Sequence, residues 1–247
     1  MLRRTILGLL TAAAAAVPAH AAEVRVAVAS NFTAPAKEIA ARFKARTGHD
    51  ATLSFGSSGQ FFAQIVNGAP YGVFLSADAE RPRKAEAHAL AVAGSRFTYA
   101  TGRLVLYSKT PGLVDARGAV LRRGRFARIA LADPKVAPYG AAAVEAMTKL
   151  GVEPKLRSRF VMGASITQAY QFVETGAAEL GFVAASQLAA AGGGSRWLVP
   201  ADLHTPIEQQ AVLLKAGAGN AAARAFVAFL KGSEARAIIR RYGYEVP

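Results

Sequence analysis

The segment Ser54-Phe55-Gly56-Ser57-Ser58-Gly59-Gln60 places two adjacent hydroxyl side chains between two glycines. A short apolar run, 51–55, leads into it, and apolar residues at helical spacing follow over 61–66. This pattern predicts a strand, a tight turn and a helix, in that order. The first N–H groups of a helix have no partner within it and carry a partial positive charge, so the turn is a candidate site for an anion.

A second segment has the same design near the start of the chain. An apolar run over 24–29 precedes Ser30 and Asn31, and a helical pattern follows over 33–43. A hydroxyl and an amide again stand where a helix would begin. We therefore predict that two helix N-termini, each with polar side chains, face one small anion.

The N-terminus has the three parts of a secretory signal peptide. Arg3-Arg4 precedes an apolar run over 5–17, and Ala19-His20-Ala21 forms a small-residue cleavage motif. The apolar run is shorter than the roughly 20 residues that a membrane-spanning helix needs. Residues 1–21 are thus predicted to be a signal peptide, cut after Ala21. No later stretch is long and apolar enough to span a membrane, so the mature protein is expected to be soluble.

The composition limits the possible chemistry. The chain has 247 residues and no cysteine, which excludes disulfides, cysteine nucleophiles and thiolate metal sites, while its length allows a large core and two lobes. The net charge is +14, but the basic residues are scattered, and the densest group is Arg122-Arg123-Gly124-Arg125 with Arg128. No nucleic-acid recognition motif is present, so we expect no nucleic-acid partner and interpret the charge as a surface that attracts anions.

Short apolar runs alternate with amphipathic helical patterns along the chain, which is typical of an α/β fold with mainly parallel sheets. Several runs are rich in Val, Leu, Ile and Ala without strict alternation, as in strands buried on both faces. The predicted strands are 24–29, 51–55, 73–76, 103–108, 128–132, 180–183 and 211–215. The predicted helices are 34–45, 60–66, 79–87, 140–149, 166–174, 221–231 and 233–242.

The sequence offers little support for catalysis. Gly56-Ser57-Ser58-Gly59 lacks the G-x-S-x-G spacing of a nucleophile elbow, and the histidines of the mature chain have no triad context. No P-loop, H-E-x-x-H or G-x-G-x-x-G motif is present. Asp78 and Asp133 follow predicted strands, where we interpret them as cap and turn residues. The chain is predicted not to be an enzyme, and an exported hydrolase with Ser58 as nucleophile is the alternative from another class.

Several segments together resemble the periplasmic molybdate-binding proteins of ABC importers, and the resemblance extends from the first strand to the C-terminus. Each segment alone is a weak signal, whereas the set is specific. The segments are Val28-Ala29-Ser30-Asn31-Phe32, Gly56-Ser57-Ser58-Gly59, Gln64-Ile65-Val66-Asn67-Gly68-Ala69-Pro70-Tyr71, Phe74-Leu75-Ser76-Ala77-Asp78, Arg96-Phe97-Thr98-Tyr99-Ala100, Ala137-Pro138-Tyr139-Gly140, Leu230-Lys231-Gly232 and Tyr242-Gly243-Tyr244.

The resemblance implies a two-lobe α/β periplasmic binding protein of type II, with mixed, mostly parallel sheets and a ligand cleft between the lobes. The expected first lobe comprises 22–103 and 209–247, and the second comprises 104–208. The hinge strands are expected near 103–108 and 206–214. The protein is expected to be a monomer in the periplasm that delivers its ligand to the membrane permease of an ABC importer.

The implied ligand is molybdate, and also tungstate, and no cofactor is expected. Residue by residue, Ser30 and Asn31 match the first anion turn of the family, and Ser58 matches the second. Ile166 matches a backbone N–H donor at another helix start. Tyr139 matches a position where part of the family has a small residue and uses only its backbone N–H.

Members with the small residue often have a Tyr after the strand 180–183, where this chain has Ala184. Pro138 restricts the backbone before Tyr139, and Gly140 permits close approach after it. This context can aim both the N–H and the phenol of Tyr139 at an anion. An aromatic ring packed in the cleft wall is the alternative interpretation.

Neutral donors suit a tetrahedral dianion. About seven of them can hold it through short, charge-assisted hydrogen bonds, and helix N-termini supply positive charge without a buried arginine. A site that contains only donors rejects partly protonated phosphate, because the O–H of that anion needs an acceptor. Sulfate is fully deprotonated as molybdate is, so sulfate or another small oxyanion stays open as the alternative ligand. A sensor or adhesion domain on the same scaffold is a third interpretation.

Overall fold

The computed structural model of the protein describes residues 21–189 and 192–247. The predicted signal peptide, 1–21, lies outside the described residues except for Ala21. Over the ranges described, no helix combines the length and the apolar character that crossing a membrane requires.

Ten strands and nine α-helices form the regular structure of the described residues. The strands are β1 (Glu23–Ala29), β2 (Asp50–Gly56), β3 (Val73–Leu75), β4 (Phe97–Gly102), β5 (Leu104–Ser108), β6 (Ile129–Ala132), β7 (Phe160–Gly163), β8 (Leu180–Ala184), β9 (Ser195–Leu198) and β10 (Ile207–Leu213). The helices are α1 (Thr33–Thr47), α2 (Ser58–Val66), α3 (Glu80–Ala87), α4 (Val120–Arg123), α5 (Pro138–Lys149), α6 (Glu153–Leu156), α7 (Ile166–Glu174), α8 (Ala221–Lys231) and α9 (Ser233–Arg241).

The strands form two sheets of five strands, with the orders β2-β1-β3-β10-β4 and β7-β6-β8-β5-β9. We call the first sheet with its helices the first lobe, and the second sheet with its helices the second lobe. In both sheets the first three strands pair in parallel, and the remaining pairings are antiparallel. The predicted α/β fold with two lobes and mixed sheets is thus confirmed.

The chain crosses between the lobes twice. It passes to the second lobe between Gly102 and Leu104 and returns between Leu198 and Ile207. The lobe boundaries predicted at 103/104 and 208/209 stay a prediction, and β10 belongs to the first sheet from Ile207 onward.

The parallel strands bring four strand ends to the space between the lobes. In the first lobe, Ala29 at the end of β1 lies opposite Gly56 at the end of β2. In the second lobe, Ala132 at the end of β6 lies opposite Gly163 at the end of β7. Ligands of α/β sheets bind outside the carboxyl ends of the strands. The turns after these four strands contain the predicted site residues, and the pairing register places those turns side by side.

Each lobe is built around its own hydrophobic core. In the first lobe, alternate residues of β1 belong to opposite faces of the sheet, with Val26 and Val28 in one cluster and Ala27 in another. In the second lobe, β5, β6 and β8 form the centre of a single cluster. Both faces of these central strands are covered, which explains why they consist of continuous apolar runs.

Sequence analysis did not predict β4, β7 and β9, and it placed the last strand at 211–215, whereas β10 spans Ile207–Leu213. All three unpredicted strands lie at sheet edges, where short strands with polar, solvent-facing residues weaken the pattern. The early part of β10 contains Gln209 and Gln210, which do not match an apolar strand. Both are nevertheless buried, because their side-chain amides form hydrogen bonds within the protein.

Candidate functional site

A small cavity lies between the lobes, where the turns after β1, β2, β6 and β7 meet. All five predicted site residues, Ser30, Asn31, Ser58, Tyr139 and Ile166, line it. The complete lining consists of Ala29, Ser30, Asn31, Gly56, Ser57, Ser58, Ala77, Ala137, Pro138, Tyr139 and Ile166. The described lining therefore contains no charged side chain, and the assignment of these residues as ligands stays a prediction.

The turn after β2 presents two buried hydroxyl groups. Ser57 caps α2, and its Oγ accepts from the N–H of Gln60 at 3.4 Å, while the Gln60 side chain accepts from the N–H of Ser57 at 3.3 Å. The Ser58 Oγ accepts from the N–H of Ala77 at 2.9 Å. Each hydroxyl oxygen thus already accepts a hydrogen bond from the protein, which leaves its own proton to donate. Helix α2 begins at Ser58, two residues earlier than predicted, so the N–H of Ser58 has no partner within the helix.

The turn after β1 is one 3-10 turn, Ser30–Phe32, and it is fully buried. The carbonyl of Ser30 accepts from Thr33 Oγ1 at 2.7 Å and from Thr167 Oγ1 of the second lobe at 3.2 Å. Phe32 anchors the turn, because its ring packs edge-on against Tyr99 at a centroid distance of 4.8 Å. The turn is therefore held rigidly at the boundary between the lobes.

The side-chain amide of Asn31 is engaged by the protein. Its Nδ2 donates to Gln209 Oε1 at 2.8 Å and to the hydroxyl of Tyr244 at 2.9 Å. An amide nitrogen carries two hydrogens, so both are used. The donor that Asn31 can offer to the cavity is therefore its backbone N–H, which lies in the first turn after β1.

Tyr139 lies at the start of α5 and is 1% exposed. Its hydroxyl oxygen accepts from Gln209 Nε2 at 3.3 Å. Burial, together with the nearby Tyr244, raises the pKa of the Tyr139 phenol well above its ordinary value. The phenol therefore keeps its proton at neutral pH and can donate it.

Ile166 is the first residue of α7. The preceding Ser165 caps the helix, because its Oγ accepts from the N–H of Gln168 at 3.3 Å. The N–H of Ile166 has no partner within the helix and lies at its positive end. The turns after β1, β2 and β7 and the first turn of α5 thus meet at one cavity.

Two contacts show that the lobes are closed. The N–H of Gly59, in the first turn of α2, donates to the carbonyl of Val136 in the second lobe at 2.9 Å. Arg81 of the first lobe donates to the carbonyl of Lys135 at 3.2 Å and is ion-paired with Asp78. Both contacts lie beside the cavity, so the separation of the lobes controls the access of solvent to it.

Sequence analysis missed several residues of the site. Ser57 could have been predicted from the sequence, since Ser57-x-x-Gln60 is a capping-box pattern. Tyr244 lies in the C-terminal segment that resembles the family, but no role followed from that position. Gln209 had no signal in the sequence, because its burial depends on the pairing of β10 with β4.

The geometry does not favour a hydrolase. His49 accepts from the N–H of Ala22 and His204 contacts the carbonyl of Thr205, and within the described ranges no hydrogen bond joins Ser58 to a histidine. Ser58 thus lacks the adjacent base that activates a serine nucleophile. Among the described residues, no three His, Cys, Asp or Glu side chains are grouped to hold a metal ion.

Comparison with known proteins places this architecture among binding proteins. The family model described as bacterial extracellular solute-binding protein matches residues 24–245. The molybdate-binding protein ModA of Rhodobacter capsulatus is 58% identical over 229 residues, which cover 93% of this chain and 90% of that protein. ModA of Azotobacter vinelandii is 56% identical over 229 residues, which cover 92% and 91%. The solved structure of the periplasmic molybdate-binding protein of Azotobacter vinelandii matches with a TM-score of 0.88 and 46% identity, over 91% of this chain and 99% of that one.

Proposed function

Because the chain belongs to the bacterial extracellular solute-binding proteins, we propose that it binds molybdate in the periplasm and delivers it to an ABC importer. The observation that carries the proposal is the cavity between the lobes, whose described lining offers hydroxyls and helix starts without a charged side chain. The relatives reported above are named as molybdate-binding proteins. The protein binds the anion and releases it unchanged.

Five residues are proposed to hold the oxyanion. Ser30 and Asn31 contribute from the turn after β1, Ser58 from the start of α2, Tyr139 from the start of α5 and Ile166 from the start of α7. The Ser58 hydroxyl supports this role, because its oxygen already accepts from Ala77 and its proton is left to donate. The Tyr139 phenol, whose pKa is raised by burial, stays protonated and therefore has a proton to donate.

The chemistry of the donors explains the choice of ligand. Molybdate and tungstate are tetrahedral dianions at neutral pH, so each oxygen accepts hydrogen bonds and none donates. Hydroxyl and backbone donors form charge-assisted bonds to such an anion, and the helix N-termini add positive charge. Tungstate carries the same charge in the same shape, and it is proposed as a second ligand. Partly protonated phosphate is disfavoured because its proton would lack an acceptor.

The two lobes are proposed to close on the anion as rigid units. The first lobe comprises 22–103 and 209–247, the second comprises 104–208, and the hinge strands lie near 103–108 and 206–214. The positions of the two crossings support this division. The closed, monomeric form is the one proposed to deliver molybdate to the membrane permease, without a cofactor and without a nucleic-acid partner.

A panel of anions in a thermal unfolding experiment tests the proposal. A ligand that binds only the native state stabilises it by about 2.7 kcal/mol at one hundred times its Kd, which corresponds to a rise in Tm of about 5–10 °C for a protein of this size. We expect this rise with molybdate and tungstate at pH 7 and little change with phosphate. A larger shift with sulfate would instead support a sulfate-binding protein. Labelling of Ser58 by a fluorophosphonate would support the hydrolase.

A further inference from the structure

Gln209 is a polar residue in the interior of the protein and is fully buried. It lies on β10, the strand by which the chain returns to the first lobe. The register of β10 against β4 shifts between Gln209 and Gln210, and such a bulge changes the direction in which a side chain points. The amide of Gln209 contacts two predicted site residues, Asn31 and Tyr139, and that of Gln210 contacts Arg96 and Thr98.

The oxygen of the Gln209 amide accepts hydrogen bonds from the first lobe. Its Oε1 accepts from Asn31 Nδ2 at 2.8 Å and lies 3.1 Å from the hydroxyl of Tyr99. Tyr244 engages the other hydrogen of Asn31 Nδ2. The side chain of Asn31 is thereby fixed, and with it the backbone of the anion turn after β1.

The nitrogen of the Gln209 amide donates a hydrogen bond to the second lobe. Its Nε2 donates to the Tyr139 hydroxyl at 3.3 Å. A phenol has a single proton, and an oxygen that accepts from Gln209 keeps that proton for another acceptor. Tyr244 is the second polar neighbour of the phenol, and its hydrogen bond contributes to the raised pKa of Tyr139. Gln209 and Tyr244 therefore hold the side chain of Tyr139, a residue that lines the predicted site.

The main chain leaves room for this contact at Gly102. A Cβ atom at Gly102 would lie 2.0 Å from the Tyr139 hydroxyl oxygen and 2.7 Å from Gln209 Nε2. Any side chain at this position would therefore displace the phenol from the amide. Gly102 stands immediately before the crossing to the second lobe, so both crossings of the chain contribute to the contact.

We propose that Gln209 is a positioning residue of the oxyanion site, which holds the Tyr139 side chain of the second lobe and the Asn31 turn of the first lobe in the arrangement that binds the ligand. This proposal rests on the proposed function, because it assigns Tyr139 as a donor to the anion. Gln209 does not contact the anion itself. It acts through one residue of each lobe, so it also couples the closed arrangement of the lobes to the geometry of the donors.

A double-mutant cycle with sodium molybdate as the titrant in calorimetry tests the proposal. The variants are Gln209→Leu, Tyr139→Phe and the double variant, each compared with the parent protein. We expect Gln209→Leu to weaken molybdate binding about tenfold or more in the parent and clearly less in the Tyr139→Phe background, because the hydroxyl that Gln209 contacts is already absent there. A coupling of at least about fivefold between the two sites supports the proposal.

Gln210→Leu is the matched control, because it removes a buried amide from the next residue of the same strand. Its amide contacts Thr98 and Glu208 rather than the site, so molybdate binding should change less than about threefold. Gln209→Glu provides a second variant with nearly the same shape. Its carboxylate has no N–H to donate to the Tyr139 hydroxyl, so molybdate binding should weaken in this variant as well.

A purely structural role predicts a different result. In that case Gln209→Leu would lower the Tm of the ligand-free protein, and its effect on molybdate binding would be the same with Tyr139 as with Phe at that position. Such additivity would overturn the inference and leave the proposed function intact, as would a Gln209→Glu variant that binds as the parent does. Absence of molybdate binding by the parent protein would overturn the proposed function and the inference with it.

Discussion

The N–H of Gly59 in the first lobe donates to the carbonyl of Val136 in the second lobe at 2.9 Å. A Cβ atom at Gly59 would lie 2.8 Å from Val136 Cα and 3.0 Å from its carbonyl oxygen. Side chains do not tolerate such distances, and here the neighbour is backbone, which cannot rotate away. The first turn of α2 therefore contributes to the predicted anion site and also forms a contact between the lobes.

Replacing Gly59 by Ala should separate the lobes and weaken the binding of molybdate. If the closed form falls to about a tenth of the population, the apparent Kd rises about tenfold. Calorimetry measures the affinity, and small-angle X-ray scattering measures whether molybdate still reduces the radius of gyration. Gly219→Ala is the matched control, because a Cβ atom there meets nothing within 4 Å. Unchanged affinity in Gly59→Ala would show that the contact with Val136 does not control closure.

Replacing Tyr139 by Phe should weaken molybdate binding. One hydrogen bond to a charged ligand contributes about 1.5–3 kcal/mol, which corresponds to roughly a ten- to hundredfold change in Kd. The free protein should also lose some stability, because Gln209 Nε2 loses its acceptor. Tyr107→Phe is the control, since Tyr107 is a buried tyrosine of the second lobe whose hydroxyl contacts Glu174. If calorimetry shows that Tyr139→Phe binds molybdate as tightly as the parent, the phenol does not contact the anion. Only the backbone of this turn would then contribute to binding.

No single cationic side chain should be essential for molybdate binding, because the described lining of the cavity is uncharged. Arg81→Gln removes the contact with the Lys135 carbonyl and should change the Kd by less than about threefold at moderate salt, because Arg81 lies outside the lining of the cavity. Stopped-flow measurements should show an association rate that falls with added salt. Arg240→Gln, on the exposed face of α9, is the control. An intact Arg81→Gln variant that no longer binds molybdate would contradict the neutral-donor model.

The protein should lose stability from about pH 10 upward. Burial is the largest cause that raises the pKa of Tyr244 to about 12 in the folded protein, whereas an unfolded tyrosine titrates near 10. Between these values the unfolded chain releases a proton that the folded protein keeps, so the free energy of unfolding falls as the pH rises. Tyr244 alone accounts for about 3 kcal/mol over this window.

Urea unfolding of the parent and of Tyr244→Phe at pH 8 and at pH 11 measures this contribution. The variant should be less stable than the parent at pH 8, because the hydroxyl of Tyr244 contacts Asn31 and Ser186. The difference between the two proteins should shrink at pH 11, since the variant has no phenol to titrate at this position. A difference that is the same at both pH values would refute the assignment.

Much of the fold was predictable from local patterns. The strands β1, β6 and β8 consist mostly of apolar residues, and α7 and α8 have the bounds that sequence analysis assigned to them. The three strands lie in the interior of their sheets, where the hydrophobic pattern and burial agree. The edge strands β4, β7 and β9 could not be predicted in this way, because an edge strand is defined by its neighbour rather than by its own composition.

The sequence by itself determined where the turns of the predicted site lie. Ser58 and Ile166 lie at helix starts that are capped by Ser57 and Ser165, and such capping involves residues about three positions apart. Ser30 and Asn31 lie in the turn that directly follows β1. Such short-range relations are visible in a single chain. Their placement around one cavity follows from strand register, which the apolar pattern already specifies.

Only the tertiary structure decided what these side chains do there. Asn31 and Gln209 are separated by 178 positions in the chain, and the contact between them exists only because β10 returns to the first sheet. That contact turns the Asn31 amide away from the cavity and engages Tyr139 from the other side. The physical reason is that a buried polar group must find a partner wherever the fold brings one within reach, and the position of that partner cannot be read from the residues next to it.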